Sequence, residues 1–386
     1  MHIDSVQDAL HSSKHTGGST HNFYLYPARF SPEIARAVLE TFSQPGDWVL
    51  DPFMGGGTAV VEGLSIGRAM IGVDLNALAH FVASVRTRPL SSDDEGDILQ
   101  WAREAADSAP HYGFQALPDV RNLPLAIKRF MAKSLDDADQ LATPKRRAFA
   151  RMVLLRLGQW ALDCRDHSRP SQAKLAQRLP DLTGQMLGGL RQFVASCHAV
   201  GFSKTEILRR RLLLCRSAAD LHQERRMTTL RAPKLVFTSP PYPRVHVLYH
   251  RWQVLGRKET PAPYWIAQVA DGHDASYYTG GSRTPTGESN YFSMIRSVFS
   301  SVRQLIDSDG LVVQLVGFAD VGAQLPKYHA AMAEAGFNSW SPSGTSVESF
   351  WRQVPNRKWY AKLNGAVDPS SELLLFHRPK RSRTRS

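Results

Sequence analysis

Residues 45–76 read PGDWVLDPFMGGGTAVVEGLSIGRAMIGVDLN, and this stretch decides the fold. Pro45, Gly46 and Asp47 are turn residues leading into a short apolar run, Trp48–Val49–Leu50, that ends at Asp51. Gly55, Gly56 and Gly57 follow, then TAVVEGLSIG with the pattern of a helix, then AMIGVDLN with the pattern of a second strand. Strand, glycine turn, helix and strand make a βαβ unit, the building block of a parallel sheet. The glycines allow close backbone approach to a ligand, and the helix after them points its first N–H groups at that ligand. Asp74 closes the second strand, where a carboxylate accepts hydrogen bonds from both hydroxyls of a ribose. The glycine spacing departs from G-x-G-x-x-G and no lysine follows, so the turn is neither a dinucleotide fingerprint nor a P-loop. A glycine cluster alone also fits a plain strand-to-helix turn; with Asp74 in place, a nucleoside-type cofactor is the better reading.

Upstream, SPEIARAVLETF (31–42) opens with a Ser cap and a Pro at the first helical position. Residues 1–20 are polar and are expected to be mobile. Downstream, residues 90–205 change character. SSDDEGD (91–97) reads as a polar linker. TPKRRAFARMVLLRLGQWALDC (143–164) carries Phe149, Met152, Val153, Leu157, Trp160 and Ala161 at helical spacing, and DLTGQMLGGLRQFVASCHAVG (181–201) is helix-like and ends at a glycine. From 206 the strands return. ILRRRLLLC (207–215) and KLVFTS (234–239) read as strands, and GLVVQLVG (310–317) and ELLLFHRP (372–379) as strands covered on both faces. Residues 255–290 have weak periodicity and read as a long, functional loop. The fold class is α/β, a Rossmann-like sheet with helices on both faces and a basic helical insertion.

After the strand KLVF comes Thr238–Ser239–Pro240–Pro241–Tyr242. Two prolines remove two N–H donors and fix φ, leaving a rigid loop with bare carbonyl oxygens at a strand end. Ser239 adds a hydroxyl acceptor and Tyr242 a flat ring for stacking. Such a loop suits an amino group on a planar base. Taken alone it reads better as a merely structural turn; the first motif changes the balance.

DPFMGGGT and TSPPY together resemble the amino-group DNA methyltransferases of SPPY type, which methylate N4 of cytosine or N6 of adenine from S-adenosylmethionine. NFYLYPARFSP (22–32) is similar to the segment that precedes the glycine loop in that family and closes over the methionine end of the cofactor. The resemblance covers roughly 21–89 and 206–377. It implies a methyltransferase sheet with a cofactor-binding half at 21–89 and a catalytic half at 206–377. The helical insertion at 90–205, a candidate DNA-recognition region, and the basic tail at 378–386 lie outside it. It implies that Asp51, Pro52, Phe53, Gly55, Gly57 and Thr58 line S-adenosylmethionine, with Asp74 on the ribose. Tyr26, Pro27 and Arg29 would lie near the methionine moiety, with Arg29 on its carboxylate. Ser239, Pro240, Pro241 and Tyr242 would hold the target base. Relatives often carry a Gly-Asp-Ala turn for the adenine end; here the corresponding stretch is Arg216–Asp220, and Asp220 is the candidate substitute. Ser before Pro-Pro-Tyr is more typical of the cytosine-N4 enzymes. The expected activity is therefore cytosine-N4 methylation of a flipped-out base in DNA. Adenine-N6 methylation, an RNA target and a non-catalytic DNA-binding subunit are the alternatives.

Composition agrees. Lys plus Arg number 47 against 35 Asp plus Glu, a balance of +12. From Arg121 to Arg216 there are 19 basic and 7 acidic residues, and the last nine, RPKRSRTRS, add five basic groups. Such local surplus fits either a polyanion partner or solvated helix faces. The three cysteines, Cys164, Cys197 and Cys215, form no CxxC pair and read as reduced, mostly buried thiols of an intracellular protein. No run approaches membrane-helix length and the N-terminus has no signal pattern, so a cytoplasmic protein is expected. His246 and His250 lie four apart in VHVLYHRW (245–252), at helical spacing, but no third ligand accompanies them, so no metal is expected. Arg251 is the candidate for phosphate, and Trp252 and Tyr249 fit the core equally well. Target sequence, oligomeric state and a cognate restriction endonuclease stay open.

Overall fold

The computed structural model describes residues 3–12, 18–25, 31–108, 117–163, 169–243, 251–254, 258–271, 284–342, 349–353 and 371–381. Tyr26, Pro27, Arg29, Cys164, His246, Tyr249, His250 and most of the basic tail therefore lie outside the described residues. In chain order the first elements are α1 (Asp4–His11), α2 (Pro32–Phe42), β1 (Trp48–Asp51), α3 (Thr58–Ser65), β2 (Ala69–Asp74) and α4 (Ala77–Arg86). The insertion follows as α5 (Ser92–Ser108), α6 (Leu125–Asp139), α7 (Pro144–Leu162), α8 (Gln172–Ala199) and α9 (Lys204–Arg209). Then come β3 (Arg211–Cys215), β4 (Leu235–Thr238), β5 (Trp252–Val254), β6 (Lys258–Thr260) and α10 (Ala262–Ala267). The chain closes with α11 (Pro285–Leu305), β7 (Leu311–Gly317), α12 (Val321–Glu334), β8 (Phe337–Ser339), β9 (Ser349–Gln353) and β10 (Ser371–Pro379).

Eight strands form one sheet in the order β3-β2-β1-β4-β7-β10-β8, with β9 also on β10. The first five run parallel, and β10 is antiparallel to β7, β8 and β9. The chain winds outward from β1 to β3, then returns to β4 on the other side of β1. The β1–β4 junction is thus the switch point where a doubly wound sheet opens a crevice at its carboxyl ends. Strand periodicity divides the core in two. Val49, Met70, Leu235, Phe237, Val313 and Phe376 face a layer of α1–α8 and α10. Leu50, Ile71, Val236, Val312, Val316 and Leu375 face α11 and α12. Helices cover both faces, as the apolar runs of β4 and β7 require.

The structure differs from the sequence reading in five places. Residues 4–11 form a helix that buries Val6, Ala9 and Leu10, so part of the expected mobile N-terminus is packed. Residues 92–97 open α5 rather than a linker: Ser91 donates its backbone N–H and its hydroxyl to Asp94, at 2.8 Å each, and three acids sit in the first turn, where the helix dipole favours them. Residues 204–209 are helical, so the strand expected from Ile207 begins at Arg211. The expected loop at 255–290 contains β6, α10 and the start of α11. Trp252 opens β5 instead of extending a helix.

Candidate active site

Both sequence motifs emerge at the switch point. The glycine loop leaves β1 and the TSPPY loop leaves the adjacent β4. One side chain joins them: Thr238 donates its hydroxyl to Asp51 Oδ1 at 2.6 Å, and Phe53 N–H reaches the same oxygen at 3.2 Å. Asp51 Oδ2 is buried with no hydrogen-bond partner among the described residues. Burial pushes the Asp51 carboxyl up to about 7, opposed by the hydrogen bonds from Thr238 and Phe53. Asp74, at the end of β2, is half-buried and accepts from Gly55 N–H at 2.9 Å and Asn76 N–H at 2.8 Å. Burial raises it to about 6. Its carboxylate thus shapes the glycine loop while remaining partly open to the crevice. Gly57 sits at φ +77°, and a Cβ there would stand 2.8 Å from the Ala83 methyl, so the turn requires glycine on two counts.

A buried polar chain that sequence reading missed holds this loop from behind. Arg86 at the end of α4 is 1% exposed. It donates to the Gly56 carbonyl, to the Thr20 carbonyl at 3.0 Å and to His21 Nδ1 at 2.6 Å. A guanidinium only donates, so Nδ1 accepts and Nε2 carries the proton toward Glu62 Oε1, 2.6 Å away. Arg36 closes the chain on the other Glu62 oxygen at 2.8 Å. These residues are scattered along the sequence, with no local signature.

Residues 18–25, which lead into the Tyr26–Arg29 segment, rest on the insertion. Gln159 of α7 donates to the Leu25 carbonyl and accepts from its N–H, both at 2.9 Å. Gln192 of α8 accepts from Ser19 N–H at 3.1 Å. Tyr24 accepts from the buried Trp252 indole at 3.1 Å. The insertion is therefore the seat of residues 18–25.

In the TSPPY loop Ser239 is half-buried and Tyr242 is 7% exposed. The Tyr242 ring lies against Gly317, where a Cβ would stand 2.8 Å from its carbons, so little of the ring is offered for stacking. Its hydroxyl donates to Glu372 Oε1 at 2.6 Å, and Arg352 holds the other Glu372 oxygen at 3.0 Å. Ser239 donates weakly to the Tyr242 oxygen at 3.5 Å. With its proton turned to Tyr242, Ser239 presents lone pairs as acceptors. Glu372 and Arg352 lie far along the chain and gave no sequence signal.

Asp220 follows β3, pairs with Arg216 at 2.9 Å, and keeps Oδ1 buried without a partner among the described residues. The Arg216 N–H binds the Asp74 carbonyl at 2.9 Å, which ties this turn to the β2 end. Arg251, the phosphate candidate, is ion-paired with Asp271 at 2.8 Å. Cys197 is buried, which pushes its thiol up to about 12, whereas Cys215 is exposed, contrary to the expectation of mostly buried cysteines. Among the described residues no three His, Cys, Asp or Glu side chains form a metal-binding group, and no helix is long and apolar enough to cross a membrane.

A family model described as DNA methylase, covering N6 and N4 methyltransferases, matches residues 3–83. The type II methyltransferase M.MvaI of Kocuria varians is 36% identical over 74 residues, 18% of this chain and 16% of that protein. M.MjaII of Methanocaldococcus jannaschii is 31% identical over 77 residues, 20% of this chain and 14% of that protein. The chain thus matches less than a fifth of the length of these relatives. The rRNA methyltransferase AviRa from Streptomyces viridochromogenes aligns over 97% of this chain and 93% of its own at 10% identity and a TM-score of 0.31. That score is too low to carry an argument, and the fold rests on the strand order.

Proposed function

We propose, from the match of residues 3–83 to the family model of N6 and N4 DNA methylases, that this chain is a site-specific DNA methyltransferase that modifies the exocyclic N4 of cytosine. The observation that carries the reading is the Thr238–Asp51 hydrogen bond, which ties the TSPPY loop to the glycine loop at the switch point. A donor bound over one loop then lies beside an acceptor base held by the other.

The residues fit S-adenosylmethionine. Asp51 offers a buried oxygen without a partner, and the cofactor carries an ammonium and a sulfonium. Asp74 retains open lone pairs for the ribose hydroxyls, and Gly55 and Gly57 keep the floor free of side chains. Asp220 Oδ1 is an orphan acceptor suited to the adenine amino group. Tyr26, Pro27 and Arg29 complete the methionine end in this reading. When bound, the cofactor supplies an electrophilic methyl group.

The protein's own part is placement. An exocyclic amine is a weak nucleophile because its lone pair is delocalised into the ring. Ser239 Oγ and the Pro240 carbonyl accept its N–H bonds, draw the nitrogen toward a pyramidal form and aim its lone pair at the methyl group. No strong base is needed, because the methylated amine loses its proton readily to water. Reaching a base inside a duplex requires flipping it out, at a cost of about a few kcal/mol. Ser239→Ala removes the side-chain acceptor. Turnover is expected to fall about 100-fold with cofactor affinity unchanged within about twofold. Equal loss of binding and turnover contradicts the role given to Ser239.

The type II names of the relatives support a restriction–modification setting with a cognate endonuclease as partner, on DNA in the cytoplasm. Adenine N6 is the competing target, and identification of the methylated nucleoside separates the two.

A further inference from the structure

Helices α5 to α8 alternate in direction, and α6 turns directly into α7 at residues 140–143. Their charges segregate along this axis. At the end carrying the α5 N-terminus, bases meet acids. Asp94 pairs with Lys145 and with Arg146, and Arg146 also with Asp97. Lys133 pairs with Asp137, Arg151 with Asp139, and Arg191 with Glu95. These pairs engage five of the basic residues counted along 121–216, three of them with α5 acids that precede that stretch.

The opposite end differs. It gathers the N-terminal turns of α6 and α8 and the last turn of α7, joined where Gln172 donates to the Ala126 carbonyl at 2.9 Å. Arg121, Lys128, Arg169, Lys174, Arg178 and Lys258 lie at or beside this end, and none makes an ion pair among the described residues. All but Lys128, which is half-buried, are exposed. Arg178 stacks 4.4 Å over the Trp160 ring, which spreads a cation across a flat surface. Asp119, Asp181 and Glu259 are the acids interspersed among them, and Asp163 is engaged with Gln253 N–H at 3.2 Å. Lys174 and Arg191 are about 25 Å apart along α8, so the two ends are distinct surfaces.

This end also borders the crevice. Asn122 donates to the Glu259 carbonyl at 2.7 Å, and Asp163 bridges to Val254, so the β5–β6 hairpin is fixed to it. The same chain continues into α10, where the Tyr264 hydroxyl donates to Asn76 at 3.2 Å, two residues beyond Asp74. Gln159, which holds Leu25, is on the α7 turn at this end. We infer that the hairpin-side end of the α5–α8 bundle is the seat of the DNA sugar–phosphate backbone beside the target base. The surface rests on the methyl-transfer reading for its placement, and on charge complementarity for its occupant. The paired end contributes little.

The test compares two triple variants of the full chain. Arg169→Ala/Lys174→Ala/Arg178→Ala removes three charges from the seat. Arg209→Ala/Arg225→Ala/Arg231→Ala removes three exposed charges elsewhere. Binding of a fluorescein-labelled duplex of mixed sequence is measured across a salt series, and binding of S-adenosylhomocysteine by calorimetry. The seat variant is expected to lose duplex affinity about tenfold or more and to lower the salt slope by about 2 to 3, while the control stays near wild type. Both variants should bind S-adenosylhomocysteine as the wild type does. Equal losses in the two triples, or wild-type duplex binding by the seat variant, overturn the inference. Duplex binding through the three residues without any S-adenosylhomocysteine binding keeps the surface and overturns the methyl-transfer reading instead.

Discussion

Arg86→Met is expected to lower folding stability by about 3 to 5 kcal/mol, with a matching fall in the urea midpoint. The side chain is of similar length and apolar, so packing is nearly conserved and the loss isolates the polar chain. Without the guanidinium, the Gly56 and Thr20 carbonyls and His21 Nδ1 lose their donor in a buried place. Glu62 then retains Arg36, but His21 has no fixed orientation from which to reach it. The consequence is local as well as global. Gly56 belongs to the glycine loop and Thr20 to the segment that rests on α8, so on the proposed function the variant should also weaken binding of S-adenosylmethionine. Arg86→Lys keeps one charge but cannot reach three acceptors in a planar fork, and should recover only part of the loss. A loss below about 1 kcal/mol for Arg86→Met means that water replaces these bonds and the chain is not structural.

Asp51 gives the second large effect, one that depends on pH. Its folded pKa is raised from 3.8 to about 7 by burial. Below the unfolded value both states hold the proton and the fold bears no cost. As pH rises toward 7, the unfolded state releases its proton first, so stability falls by about 1.4 kcal/mol per unit, and by at most about 4 kcal/mol in all. Above 7 the curve levels. Asp51→Asn should remove this slope between pH 4 and 7, whatever its constant offset from an unpaired amide. Parallel stability profiles for the two proteins contradict the assignment. Ligand binding should show the mirror effect. A cation placed on Asp51 favours the ionised form, so cofactor binding should release protons and tighten as pH approaches 7. Asp51→Asn should bind about tenfold to a hundredfold more weakly. Stability gained where binding is lost is the pattern of a site carrying unfavourable electrostatics for its ligand.

The parts legible in the sequence are those where local chemistry demands particular residue types. Only glycine fits the turn at Gly57, and only prolines make a strand-end loop with bare carbonyls, so both motifs announced themselves. Ser31 and Pro32 fixed the start of α2, and Ser31 does accept from Ile34 N–H. What stayed hidden depends on distant partners. Asp93, Asp94 and Glu95 resemble a linker until Lys145 and Arg146 are seen against Asp94. Val6, Ala9 and Leu10 have helical spacing, but the polar residues between them masked it. Arg86, His21 and Glu62, and likewise Glu372 with Tyr242, lie far apart along the chain, and no periodicity links such pairs. Charge was misleading in bulk, since the insertion's surplus resolves into a neutralised end and a basic end only in three dimensions.

The measurement that tests the central claim most directly is mass spectrometry of nucleosides from unmethylated DNA incubated with the purified protein and methyl-deuterated S-adenosylmethionine. The account predicts deuterated N4-methylcytosine. Deuterated N6-methyladenine keeps the reaction and moves the target base. No deuterium in any DNA nucleoside, from protein shown to bind the cofactor, contradicts the account.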